Sequence, residues 1–167
     1  VVEKILSESE YMPDNRRKIR LTFVDLKLSV TAEMLDDEAP GVCNIVWDML
    51  PVEGKVLHGM YSGAEVFLLL EKAVQHPPEN LCQLPLPGEL LFFYDGSSSV
   101  ANSKKPISEI CFVYNRGVVL RGPEGVPTHC SLFARVAGDW KYDWMDFRNG
   151  CRKARWDGPQ LLRIERA

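Results

Sequence analysis

Two glutamates in this chain each interrupt an apolar strand. In residues 64–70, AEVFLLL, Glu65 shares a face with Phe67 and Leu69 under the two-residue alternation of a β-strand. In residues 107–115, ISEICFVYN, Glu109 shares a face with Ile107, Cys111 and Val113. A carboxyl facing an apolar interior has its pKa raised toward neutrality, which suits it to proton transfer. The plainer alternatives are a solvated glutamate beside a turn for Glu65 and an edge-strand charge for Glu109. His58 alternates with Val56 and Met60 and is an acid–base candidate, set against the satisfied core histidine that such positions more often hold. Tyr61, on the opposite face, offers a hydroxyl donor, or else packs with its hydroxyl at the surface. Positive charge comes from Arg121 in LRGPEGVP, whose glycines allow close backbone approach, and from Arg135 in FARV. Surface salt bridges are the alternative for both. Tyr94, ending the apolar strand GELLFFY, is the remaining candidate for substrate contact.

Other chemistries lack their residues. The three histidines (58, 76, 129) and five cysteines (43, 82, 111, 130, 151) show no metal-ligand spacing, so no metal is expected. No GxSxG elbow is present, and GPEG lacks the lysine and the strand-then-helix setting of a phosphate loop. The cysteines are odd in number, without a CxxC pair, and mostly in apolar contexts. Buried free thiols in a reducing cytoplasm explain them best. A net charge of −3 gives no reason to expect nucleic acid or an anionic membrane as partner. No apolar run approaches the roughly 20 residues that span a bilayer, and no signal peptide is visible.

The elements that must carry these residues follow from periodicity. Residues 1–17 carry little pattern and read as an N-terminal arm; residues 18–167 read as one domain, long enough to bury about two-thirds of its unfolded surface. KIRLTFV (18–24) and LSVTAEM (28–34) alternate and form a hairpin. Asp36, Asp37 and Glu38 place negative charge at a helix start, Pro40 fits its first turn, and Val42, Ile45, Val46, Met49 and Leu50 make one apolar stripe. Pro51 and Gly54 stop that helix. A strand over 55–61 turns at Ser62-Gly63 and returns over 64–70. Residues 71–87, with prolines at 77, 78, 85 and 87, are irregular. Strands follow over 88–94, 107–115 and 131–136, separated by a polar loop tip (95–106) and a loop punctuated by glycine and proline (116–129). Trp140, Trp144, Phe147, Cys151 and Ala154 give a helix with one apolar face, and basic Arg148, Arg152, Lys153 and Arg155 form its solvated side. Residues 160–165 close the chain as a strand. About eight strands and two helices predict a mainly β protein, a closed or nearly closed barrel capped by helices.

The run AEMLDDEAPGVCNIVWDMLP…KVLHGMY resembles the strand–helix–strand start of cyclophilins. Cyclophilins follow their strand histidine with a catalytic arginine; here His58 is followed by Gly59, and their glutamine- and glycine-rich strand has no counterpart. The resemblance therefore implies the barrel and not the prolyl isomerase site. Over residues 18–136 the chain is more similar to a bacterial family of cyclophilin-like domains of unassigned function. The marks are VTAEMLDDEAPGVCNIVWDMLPVEGKVLHGMYSG, LPLPGELLFFY, EICFVY and LRGPEGVPTHCSLFARV. Domains of this type resemble the cucumopine and mikimopine synthases, and bacterial enzymes that form β-carbolines from tryptophan.

That resemblance implies a condensation of L-histidine with 2-oxoglutarate. The amine forms an imine with the ketone, and an imidazole carbon closes a six-membered ring. No redox cofactor is implied. Such a site needs cations or backbone donors for several carboxylates. It also needs an acid–base group near the amine and a base for the ring proton. On this reading Glu65 is the first candidate base with Glu109 as its parallel, and His58 is a further acid–base group. Tyr61 is a donor to the carbinolamine, Arg121 is the preferred carboxylate clamp, and Arg135 and Tyr94 are further binding residues. The other expectations are a non-catalytic domain that binds a small carboxylated metabolite, or a degenerate prolyl isomerase. Strand edges and the tryptophan-rich helix suggest a homodimer or higher homo-oligomer.

Overall fold

The computed structural model describes residues 16–96, 105–122 and 125–167. Strand β1 (Lys18–Phe23) pairs with β2 (Leu28–Met34) as the predicted hairpin, with Leu21 opposite Val30. Helix α1 (Pro40–Met49) buries Val42, Cys43 and Val46. The acidic run before it does not supply its cap. Asp36 takes Arg17 and Glu38 takes Arg16, while Glu79, far along the chain, accepts hydrogen bonds from the N–H groups of Gly41 (3.2 Å) and Val42 (2.9 Å). The negative charge that the helix start needs is thus delivered by tertiary structure. Arg16 and Arg17, read as the end of an arm, are fastened to the domain by these pairs; the rest of that arm lies outside the described residues.

Strand β3 (Val52–His58) begins earlier than the sequence suggested. Gly54 sits inside it, where an added Cβ would lie 2.7 Å from Leu68 Cδ1. That glycine permits close packing of strands rather than ending a helix. Strand β4 (Glu65–Leu69) follows. Strand β5 (Leu81–Cys82), only two residues long, hides in the proline-rich passage and pairs with the start of strand β8 (Cys130–Val136). Strands β6 (Glu89–Asp95) and β7 (Ile107–Val113) form a hairpin whose loop lies largely outside the described residues. Helix α2 (Met145–Trp156) starts after Trp140 and Trp144, residues 140–143 being a turn. Strand β9 (Gln160–Arg166) completes the chain.

All pairings are antiparallel, in the order β2-β1-β9-β3-β4-β7-β6-β8. β8 returns to β2 through Ala32–Val136 and Met34–Ala134, so eight strands close a barrel, with β5 as an outlying ribbon on β8. One apolar cluster draws on every barrel strand, among them Leu21, Ala32, Val56, Val66, Phe92, Phe112, Phe133 and Ile164. Only the lumen is common to all eight, so this cluster fills it. Trp144, Phe147, Cys151 and Ala154 join it from the α2 side, and Val42 and Val46 from α1. Among the described residues no helix is long and apolar enough to cross a membrane.

Candidate functional site

A second apolar cluster lies on the outer face of β6, β7 and β8: Leu91, Cys111, Val113, Cys130 and Leu132, with Phe67 and Phe93 against them. Alternation puts Glu65 and Glu109 on this side, since Val66, Leu68, Ile110 and Phe112 point into the lumen. The apolar interior that Glu65 faces is therefore this outer cluster and not the barrel lumen. The lumen is filled by side chains, and Glu65 is buried outside it. Glu109 is not an edge charge either, because β7 is flanked by β4 and β6. In the β4–β7 ladder Glu65 faces Val113 and Leu69 faces Glu109, so the two carboxyls share one face at the two ends of the ladder, with the Phe67–Cys111 pair between them.

The segment after β7 buries this outer face. Val118 and Leu120 are almost wholly buried against it. The Val119 N–H donates to Ser62 O (3.1 Å) and the Leu120 N–H to Gln83 O (2.9 Å). Ser62 pins the next residue with its side chain: its Oγ accepts from the Arg121 N–H (3.1 Å) and donates to Arg121 O (3.3 Å). Thr128 N–H then returns to Leu120 O (3.1 Å). The result is a cavity of about 50 Å³ bounded by Ser62, Glu65, Phe93, Glu109, Cys111, Leu120, Arg121, Thr128 and Cys130.

Its electrostatics follow from burial. Glu65 is only 7% exposed, and its Oε2 has no hydrogen-bond partner. Burial raises its pKa, with the Ser62 hydroxyl pulling the other way. Burial pushes Glu109 up to about 7, and the charges of Glu65 and Asp95 push in the same direction. Cys111 and Cys130 are held well above the usual thiol range by burial and then by the same two glutamates. They are inert thiols in the walls rather than nucleophiles. Glu109 can thus exchange a proton near neutrality, with the raised Glu65 as a second carboxyl in the same cavity.

Gly59 shapes this arrangement. A Cβ there would meet Glu65 Cγ at 2.5 Å and Oε1 at 2.8 Å. The residue that departs from the cyclophilin pattern is the one over which Glu65 folds. Gly59→Ala is expected to displace the Glu65 carboxyl and lower any activity that depends on it by about 10-fold or more, with little change in far-UV circular dichroism. Unaltered steady-state rates would show that Glu65 does not need this position.

The other sequence candidates are distributed as follows. His58 shares the lumen-facing side with Val56, away from the carboxylates. Its Nδ1 lies 2.8 Å from Gly59 O and its Nε2 2.7 Å from the Tyr114 hydroxyl. The carbonyl only accepts, so Nδ1 carries the proton and Nε2 accepts from Tyr114. Burial lowers the pKa of this ring. Tyr61 is exposed and outside the cavity lining. Arg121 borders the cavity with an exposed side chain, and its guanidinium makes no ion pair among the described residues. Arg135 is engaged elsewhere, binding the buried Glu89 through Nε (3.2 Å) and Nη2 (2.8 Å). Tyr94 lines a separate depression of about 100 Å³, which shares Phe93 with the first. Ser62, Thr128 and the two cysteines were missed by sequence reasoning. Only the Cys111 and Glu109 alternation pointed to any of them.

Larger cavities exist. One of about 490 Å³ lies beside Met49, Glu53 and residues 68–72, and one of about 510 Å³ lies between Lys27–Ser29 and residues 141–147. The charged residues that line them, Glu53, Glu71 and Lys72 in the first and Lys27, Lys141, Asp143 and Asp146 in the second, are all exposed, so neither offers a buried carboxyl. Among the described residues no group of three or more His, Cys, Asp or Glu is arranged to hold a metal ion.

Similar solved structures include McbB in complex with tryptophan, at a TM-score of 0.63 and 17% identity, covering 89% of this chain and 44% of that one. This chain thus spans less than half the length of the McbB chain. The solution structure of the hypothetical protein AF2241 from Archaeoglobus fulgidus is similar at a TM-score of 0.54 and 14% identity, covering 91% of this chain and 95% of that one. At these identities the likeness is one of fold. No curated protein matches the chain. A family model described as "Protein of unknown function (DUF3830)" matches residues 21–165, and the chain belongs to that family.

Proposed function

We propose that this protein is a cofactor-free synthase that condenses an amino acid bearing a nucleophilic ring with a 2-oxo acid, L-histidine with 2-oxoglutarate by the cucumopine synthase resemblance. The observation that carries the proposal is the Glu65–Glu109 pair, a buried and a half-buried carboxyl lining one cavity, with the Glu65 charge among the causes that raise Glu109. The fold it shares with a tryptophan-bound protein supports an amino acid as ligand. In this reading the amine adds to the ketone carbon, and Glu109 protonates the carbinolamine oxygen, which leaves as water. The imine carbon is then attacked by the ring carbon, and Glu65 takes the proton that the ring must lose. One proton is delivered by Glu109 and one recovered by Glu65, so the proton count of the pair is restored, and exchange with water resets the two carboxyls for the next turnover.

Arg121 is assigned to a carboxylate of the oxo acid. Arg121→Ala is expected to raise KM for the oxo acid by about 10-fold or more with kcat changed much less, and Arg121→Lys to recover part of it. Initial rates against oxo-acid concentration check this, and an unchanged KM removes the assignment.

The reaction itself is tested by mass spectrometry of protein incubated with L-histidine and 2-oxoglutarate beside a protein-free control, with L-tryptophan as second amine. The expected product is one water lighter than the summed substrates and forms faster with protein. No acceleration with either amine refutes the synthase.

The exposed Arg121 at the rim of the Glu65 cavity supports a second reading, a domain that binds a small carboxylated metabolite without transforming it. Ligand-induced thermal stabilisation with no turnover distinguishes it.

A further inference from the structure

Beside Phe93, which also lines the carboxylate cavity, β6 runs past the start of β8, whose last pairing with it is Ser131 opposite Phe92. The space left there is the second depression, walled by His76, Pro78, Phe93, Tyr94, His129 and Ser131. Phe93 itself stands opposite Glu109 on the β6–β7 ladder and lines both spaces. His76 is held by its contacts. Its ring meets Phe92 edge-on at 4.9 Å between centroids, and its Nδ1 lies 2.7 Å from Pro77 O. A carbonyl can only accept, so Nδ1 carries a proton, and in the tautomer with its single proton there Nε2 presents a lone pair. That Nε2 is buried and has no hydrogen-bond partner. Glu65 Oε2 is in the same condition in the first cavity, so each space holds one orphaned polar atom.

A buried acceptor without a donor is costly to the folded chain, and in native proteins it calls for an explanation. Here the surroundings are aromatic and the missing group is an N–H or O–H. We infer that this depression is the subsite for the heteroaromatic ring of the amine substrate, with the ring N–H donating to His76 Nε2 and the ring face set against Phe93 and Tyr94. Leu81 and His129, both exposed, form the rim that moves aside to admit the ring. The assignment rests on the reading of the Glu65–Glu109 cavity as the place of condensation, and gives it a selectivity: imidazole or indole rings with a free N–H are accepted over phenyl rings.

The test measures binding alone, by titration calorimetry of the full chain with L-tryptophan, 1-methyl-L-tryptophan and L-phenylalanine, without oxo acid. The expected result is at least tenfold weaker binding of the methylated and phenyl amino acids than of L-tryptophan. That difference should vanish in His76→Phe, which keeps a ring against Phe92, and return in part in His76→Gln, which restores an acceptor. Equal affinities in the unaltered protein, a preference that survives in His76→Phe, or no binding of L-tryptophan overturns the subsite. The comparison with unaltered protein needs no variant to fold. If the preference is found but no condensation occurs, the subsite stands and the synthase falls.

Discussion

Replacing Glu65 with glutamine is expected to lower the protein-dependent rate of condensation by about 100-fold or more while leaving the barrel folded. Glutamine has nearly the same shape and cannot accept a proton from the substrate ring at neutral pH. It also replaces a carboxyl whose Oε2 has no hydrogen-bond partner, so no ion pair is broken. The effect should fall on kcat more than on KM, because the proton is moved after the amine and the oxo acid have bound. Initial rates at saturating substrate, beside a denaturant unfolding curve of the same preparation, check both halves. Full activity in this variant removes the mechanism, whatever the product.

The second large effect is on stability and concerns Glu109. Its pKa is raised by burial, and then by Glu65 and Asp95, from the ordinary carboxylate range to about 7. The folded chain therefore binds this proton more tightly than the unfolded chain does. Between the ordinary glutamate range and about pH 7 the folded state carries more protons, so stability falls as pH rises through that window. Above it the full penalty is present. Glu109→Gln lacks the charge and is expected to be more stable than the unaltered protein at pH 8, by about 2 kcal/mol after allowance for partial exposure of the group. At pH 4.5 the two proteins should be close to equal. Urea unfolding at both pH values decides the matter, and a variant less stable at pH 8 would falsify the buried-carboxyl reading. A stabilising substitution that lowers activity is what a functional site held under strain should give.

Much of the fold was legible because most strands bury one face and alternate accordingly. Leu21 and Val30 declare their side of the sheet through neighbours such as Arg20 and Thr31. The Glu65–Phe67 and Glu109–Cys111 alternations were equally readable, and they place both carboxyls on one side of their strands. Which side of the barrel that was could not be read. β4 and β7 are apolar on both faces, one filling the lumen and the other lying under Val118 and Leu120. Period-two patterns distinguish two faces without naming either one. Pairings distant in sequence were also hidden. Arg135 meets Glu89, His58 meets Tyr114, and Glu79 caps α1, and no local pattern encodes these partners. β5 was missed because four prolines surround a strand of two residues, and Gly54 was misassigned because its space is filled by Leu68 from another strand.

The position of β9 has a consequence for how the chain reaches this state during synthesis. β9, which follows the other barrel strands in the chain, lies between β1 and β3 and is hydrogen-bonded to both. Until residues 160–166 have left the ribosome, the wall between β1 and β3 is missing and the lumen is open to water. The apolar residues of the earlier strands must wait in that condition, and the closing contacts join segments far apart in sequence, a slow kind of pairing. Folding of this barrel is therefore completed only after its last strand has been translated, and a nascent chain halted before Gln160 should be sensitive to proteases along its whole length.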